Sequence, residues 1–185
     1  MLKWLLHRQI AASVERPFGY DAGYFHEVVE ADAVTALKFA VVTGLASRRH
    51  APAEAMAAAG LVGTLAEDCG PCTQISVDIA LAGGASPEAI RAILAGDLAA
   101  MGPDAALGYR FATATLARDL EASDAARDEV VARWGKRGPI ALAMALTTAR
   151  MYPTLKYALG HGRTCSRVTV AGEAAPFARP LSLAA

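Results

Sequence analysis

The chain reads as an all-α protein, a helical bundle built as one domain. Alanine makes up roughly a quarter of its 185 residues, and alanine is the strongest helix former because it has no side-chain entropy to lose. Apolar residues recur at three- and four-residue spacing rather than in alternation. Prolines and Ser or Asp residues stand where helices begin, and glycines stand where they end.

The elements follow in order. Leu2, Leu5, Leu6, Ile10 and Val14 share one side of a helix. Arg8 and Gln9 cut this apolar run and no small-residue cleavage site follows, so the segment reads as an amphipathic helix and not as a signal peptide. It is expected to dock on the core or on a neighbouring subunit. Asp32 to Gly44 is a second helix, and the basic turn Arg48-Arg49-His50-Ala51-Pro52 leads into a third that ends near Leu65. Cys69 caps a fourth, with Pro71 in its first turn and Ile75 to Leu81 as its body. Ser86-Pro87-Glu88 is a cap and first turn. Pro103-Asp104 opens another helix with Leu107 and Phe111 inward, and Ser123-Asp124 is expected to cap the next, which closes at Gly135. Ile140 to Tyr152 is expected to be a central core helix between Pro139 and Pro153, and it is too short to span a membrane. The domain is therefore placed at residues 1–172, with N-terminal helices over 2–46 and a loosely held tail over 173–185.

Composition excludes some partners. Eighteen basic and eighteen acidic residues cancel, with no basic stripe and no aromatic-basic interleaving, so nucleic acid is not an expected ligand. Three cysteines, two of them three residues apart, fit a reducing, cytoplasmic compartment better than a disulfide-stapled secreted fold.

The pair Cys69-Gly70-Pro71-Cys72 carries the chemistry. A disulfide between such near neighbours closes a tiny loop and removes little unfolded-state entropy, so redox chemistry or metal binding explains the spacing better than stability does. Zinc wants four ligands, and the chain adds only the isolated Cys165 and four scattered histidines; no metal and no organic cofactor is expected. At a helix N-terminus, free N–H groups and the helix dipole favour thiolate over thiol. One turn on, Cys72 shares its face with Ile75, Ser76, Ile79 and Gly83, while Gln74 and Asp78 point away and Val77 and Leu81 lie opposite. Glu67 and Asp68, immediately upstream of the pair, are candidate acid/base carboxylates, and Ser76 is a candidate relay; acidic residues at a helix start also simply complement its dipole, and a serine can merely satisfy its own backbone. His161 could stand in as a relay, but a surface or loop histidine without catalytic duty is the favoured reading, and Cys165 reads as an ordinary buried cysteine.

Cys-Gly-Pro-Cys is also the thioredoxin active-site sequence, but there it follows a β-strand. Here Pro52-Ala53-Glu54-Ala55-Met56-Ala57-Ala58-Ala59 precedes it, which is nearly pure alanine and helical. The stretch Leu65 to Gln74, followed by Ile79-Ala80-Leu81-Ala82-Gly83-Gly84-Ala85-Ser86-Pro87-Glu88-Ala89-Ile90, resembles the alkylhydroperoxidase/carboxymuconolactone decarboxylase superfamily. Val130-Val131-Ala132-Arg133-Trp134-Gly135 and the helix after it are similar to a segment of its peroxidase-related members, and the resemblance covers about residues 50–160.

What the resemblance implies is an alkylhydroperoxidase-like bundle with the CxxC at the N-terminus of a central helix. It implies a peroxidase or related oxidoreductase in which Cys72 attacks a hydroperoxide and Cys69 is the exposed partner for an external dithiol reductant. The helix-dipole argument instead makes Cys69 the better thiolate, so the order of attack stays open. The chain departs from the family where a Glu and a His are usual, holding Ala57 and Ser76 there, so Glu67 is expected to replace the Glu and Ser76 to occupy the place of the His. The resemblance also implies a homo-oligomer, a trimer or hexamer, in keeping with a CxxC helix that is apolar nearly all round. A general disulfide reductase and a non-catalytic, redox-sensing helical oligomer are the alternatives.

Overall fold

The computed structural model describes residues 1–44, 49–162 and 168–175. Ten helices occur among them: α1 (Leu2–Ile10), α2 (Arg16–Phe18), α3 (Gly23–Ala31), α4 (Ala33–Gly44), α5 (Ala53–Ala66), α6 (Gly70–Ala82), α7 (Pro87–Ala95), α8 (Gly102–Ala117), α9 (Leu120–Trp134) and α10 (Arg137–Ala158). A π-helical turn, Ala11–Glu15, joins α1 to α2, and a two-residue hairpin, β1 (Thr169–Val170) and β2 (Glu173–Ala174), is antiparallel. The all-α reading holds.

The innermost helix is α5. Ala55, Ala57, Ala58, Ala59, Leu61, Val62, Thr64 and Leu65 are all buried, and α5 packs against α6, α7, α8 and α10. Small residues explain why so many helices reach it. A Cβ at Gly63 would stand 2.9 Å from the Leu146 carbonyl of α10, and one at Gly108 of α8 would overlap the Ala55 backbone. On one side of α5, Leu61 and Leu65 join Val77, Ile90, Ile93, Leu94, Met101, Val168 and Val170; on the other, Val62 joins Leu107, Phe111, Leu116, Val130, Leu142 and Leu146.

Several expectations are corrected. The helix starting at Arg137 continues through Tyr152 to Ala158, because Pro139 falls in the first turn, where an N–H is spare, and Pro153 forfeits a single bond. It is not the central helix: it buries one stripe, including Ala141, Leu142 and Leu146, and leaves Ile140 64% exposed. Nor is α6 central, since only Cys72, Thr73 and Val77 of it are fully buried. Asp119, not Ser123-Asp124, caps α9: Arg118 turns left-handed (φ 56°) to close α8, and the Asp119 carboxylate then accepts the Ala122 N–H at 3.0 Å. The division at residue 172 cuts the hairpin, whose Glu173 pairs with Arg91 at 2.9 Å; only residues 176–185 of the expected tail lie outside the described residues, as does Cys165. Helix α1 buries Ile10 alone, leaving Leu2 and Leu5 36% and 48% exposed.

Residues 1–44 form an arm with its own small core of Ile10, Ala22, Tyr24, Phe25, Val29 and Ala36. His7 pairs with His26 and Glu30, and His26 with Glu15, tying α1 and the π-turn to α3. The arm meets the bundle at α10. There the Tyr152 ring packs edge-on against Phe25 and Phe39, and the Tyr152 and Thr43 hydroxyls share a 2.6 Å hydrogen bond.

Candidate redox site

The turn between α5 and α6 builds the site. Helix α5 ends as Glu67 and Asp68 donate their N–H groups to Thr64 and Leu65, and Asp68 takes a left-handed conformation (φ 50°), which short polar side chains tolerate better than others. The chain then extends at Cys69 (φ −107°, ψ 94°), the N-cap of α6. The Cys69 carbonyl accepts both the N–H and the hydroxyl of Thr73, at 2.8 and 3.0 Å. Cys72 is thereby brought back over Cys69, with Cα atoms 5.3 Å apart, and the two are joined in a disulfide. When the bond opens, both sulfurs lie at a helix N-terminus, the place where the backbone stabilises thiolate.

Both sulfurs are covered. Cys69 is 6% exposed and Cys72 2%, so the expectation of an exposed Cys69 is corrected: Tyr157, from α10, donates its hydroxyl to the carbonyl of the preceding Asp68 at 2.9 Å, and the arm covers Cys72. Tyr20, in the turn between α2 and α3, sets its hydroxyl 3.8 Å from the Cys72 sulfur. Among the described residues this is the one side-chain hydrogen bond to either sulfur.

The expected base is engaged elsewhere. The Glu67 carboxylate accepts from Arg150 Nε at 2.5 Å and from the Thr154 hydroxyl at 3.4 Å, so it fastens the α5–α6 turn to α10. Ser76 is half-buried within α6, and its hydroxyl has no side-chain or longer-range hydrogen-bond partner among the described residues. Glu54 accepts the Ser86 hydroxyl at 2.7 Å and so holds the cap of α7. His161 pairs with Glu27 at 3.1 Å and lies against the Tyr24 ring. Gln74 points away from Cys72, as expected, and exchanges hydrogen bonds with the backbone of Thr169 in the hairpin.

Tyr20, Tyr24 and Lys156 were not legible as site residues. Lys156 of α10 is only 7% exposed, and its ammonium lies 5.7 Å from the centroid of the Tyr20 ring and 5.9 Å from that of Tyr24, within the reach of cation–π attraction. Burial pushes the Tyr20 phenol above its ordinary value, opposed by the Tyr24 hydroxyl. Tyr24 is pushed up more strongly, also by burial. Burial pulls the Lys156 ammonium down, opposed by the negative charge of Asp21. The one local signal was Gly19-Tyr20-Asp21-Ala22-Gly23-Tyr24, two tyrosines at one-turn spacing, each preceded by a glycine. An open groove of about 430 Å³ between α4 and α10, lined by Phe39, Arg150, Met151 and Leu155 among others, includes neither cysteine.

Among the described residues, no group of three or more His, Cys, Asp or Glu side chains is placed to hold a metal ion, and no helix is long and apolar enough to cross a membrane. The chain matches no protein-family model, no curated protein and no solved structure.

Proposed function

We propose that the chain is a thiol-dependent oxidoreductase that reduces hydroperoxides through a Cys69/Cys72 dithiol–disulfide cycle. The observation that carries this reading is the disulfide itself, closed across one turn at the N-terminus of α6. Such a position favours thiolate when the bond is open, and the spacing lets the bond form with little backbone movement. One thiolate attacks a peroxide oxygen and becomes a sulfenic acid; its neighbour displaces water to give the disulfide, and an external dithiol restores the pair. The resemblance of residues 50–160 to the alkylhydroperoxidase superfamily supports the same reading. Covered sulfurs favour a small peroxide over a folded protein disulfide as first reactant, which sets this reading above a general disulfide reductase.

The proposed state is a homo-oligomer, trimer or hexamer, in the cytoplasm. Apolar side chains left open on α1 (Leu2, Trp4, Leu5) and α4 (Val34, Leu37, Val41, Val42) support self-association. The test of function is turnover: many equivalents of hydroperoxide consumed per chain with a dithiol reductant, and none by Cys69→Ser or Cys72→Ser. A single reaction per chain accompanied by a change of assembly would replace this reading with the redox-sensing oligomer.

A further inference from the structure

Resting on the hydroperoxide reading, we infer that Tyr20 is the acid of the peroxide step, donating its proton to the oxygen that leaves when Cys72 attacks. Geometry selects it. The reaction forms an alkoxide beside Cys72, and of the groups that could protonate it, Glu67 is held by Arg150 and Ser76 bonds neither sulfur. Among the described residues, the Tyr20 hydroxyl alone stands within hydrogen-bond reach of the attacking sulfur, at 3.8 Å.

Its surroundings suit that duty. Gly19 turns left-handed (φ 59°) to end α2 and deliver Tyr20 inward, a conformation that glycine adopts without strain. The Lys156 ammonium lies over the ring, 5.7 Å from its centroid, which fixes the ring's place beneath α10. Burial keeps the phenol protonated beyond its ordinary range, so the proton is present at neutral pH. An alkoxide is far more basic than a phenolate, so the transfer runs downhill.

The atoms balance. Cys72 first ionises and its proton goes to solvent. The thiolate then attacks the terminal oxygen of ROOH: the S–O bond forms, the O–O bond breaks, and RO⁻ takes the Tyr20 proton, leaving Cys72–S–OH, ROH and the Tyr20 phenolate. Cys69 next gives its proton to that phenolate and attacks the Cys72 sulfur. The S–O bond breaks, and the departing hydroxide takes a proton from solvent to become water. The peroxide is reduced by two electrons and the dithiol is oxidised by two, with a net yield of disulfide, ROH and water.

The test compares two peroxides in the full chain. Tyr20→Phe keeps the ring under Lys156 and removes only the acidic proton. With an alkyl hydroperoxide, whose alkoxide leaving group needs protonation, single-turnover oxidation of the reduced protein should slow by about a hundredfold, the usual worth of a general acid. With a peroxycarboxylic acid, whose carboxylate leaves without a proton, the same variant should slow by less than about threefold. The ratio of the two rates cancels any change in thiolate fraction or folded fraction, so a merely structural effect leaves it unchanged. An unchanged ratio in Tyr20→Phe overturns the inference while the wild-type rates leave the hydroperoxide reading intact. A wild-type protein inert to both reagents removes that reading, and the inference with it.

Discussion

Glu67 shows how far a carboxylate's duty depends on partners remote in sequence. Two residues before Cys69 in the chain, it has the chemistry of a base, yet Arg150, 83 residues on, accounts for its position. Glu67→Gln should therefore leave the pH profile of thiol alkylation superimposable on wild type, with less than about a threefold change in rate, and lower stability by about 1 kcal/mol through the partly exposed ion pair. Alkylation rates from about pH 5 to 10, beside a urea unfolding curve, check both parts; a hundredfold loss rescued at high pH would restore Glu67 as the base. Gly108→Ala tests the packing around α5 in the same spirit. Its new methyl would overlap the Ala55 backbone, an overpacking that should cost about 2–3 kcal/mol, read as a lower midpoint in urea; an unchanged midpoint would mean that the helices are not so closely seated. The cysteines were legible in the sequence because their reactivity depends on three-residue spacing and a helix start. Tyr20 was not, because it reaches Cys72 only when a chain 52 residues away folds back over it.

Among the elements, helices with a local terminator were readable and those set by tertiary contacts were not. Ser86-Pro87 marks α7 because the cap and first turn are chemically local. The α9 start was misplaced by one turn because a left-handed arginine, not a glycine, closes α8. The hairpin gave no signal, since two-residue strands have no period; it is held by Val168 and Val170 in the core and by Gln74 from α6. The N-terminal arm provides a pH prediction. Tyr20, Tyr24 and Tyr152 are each pushed above the ordinary tyrosine value by burial. Such groups contribute stability in full below the unfolded value of about 10, and that contribution is lost as pH rises toward their folded values. Lys156, pulled down by burial, acts oppositely: it adds relative stability as pH rises through its folded value, and adds nothing further above about 10.5. Above that point only the tyrosines act, so the arm should release cooperatively as they ionise. Tyrosinate absorbance followed with near-ultraviolet circular dichroism checks this: coincident transitions are expected, and tyrosines that ionise near pH 10 with no loss of tertiary signal would contradict it.

At the scale of the molecule, a bundle built on an alanine and glycine helix holds a covered CxxC between α6 and an arm that returns from the N-terminus. The proposed self-association rests on the apolar side chains left open on α1 and α4. Light scattering coupled to size exclusion should give three or six times the 19.2 kDa chain mass, and a monomer at micromolar concentration would contradict the proposed assembly. The fold class was readable because composition and punctuation agree along the whole chain; which helix is innermost was not, since that depends on how closely neighbours approach Gly63 and Gly108. The central claim is that Cys69 and Cys72 act together as a peroxide-reducing pair. Its most direct measurement is a titration of free thiols in the reduced protein before and after one equivalent of hydroperoxide, with peptide mass spectrometry to locate any new bond. The account predicts the loss of both thiols together, a mass lower by two hydrogens, and a single Cys69–Cys72 linkage. Thiols that survive the peroxide, or oxidation confined to Cys165, would contradict it.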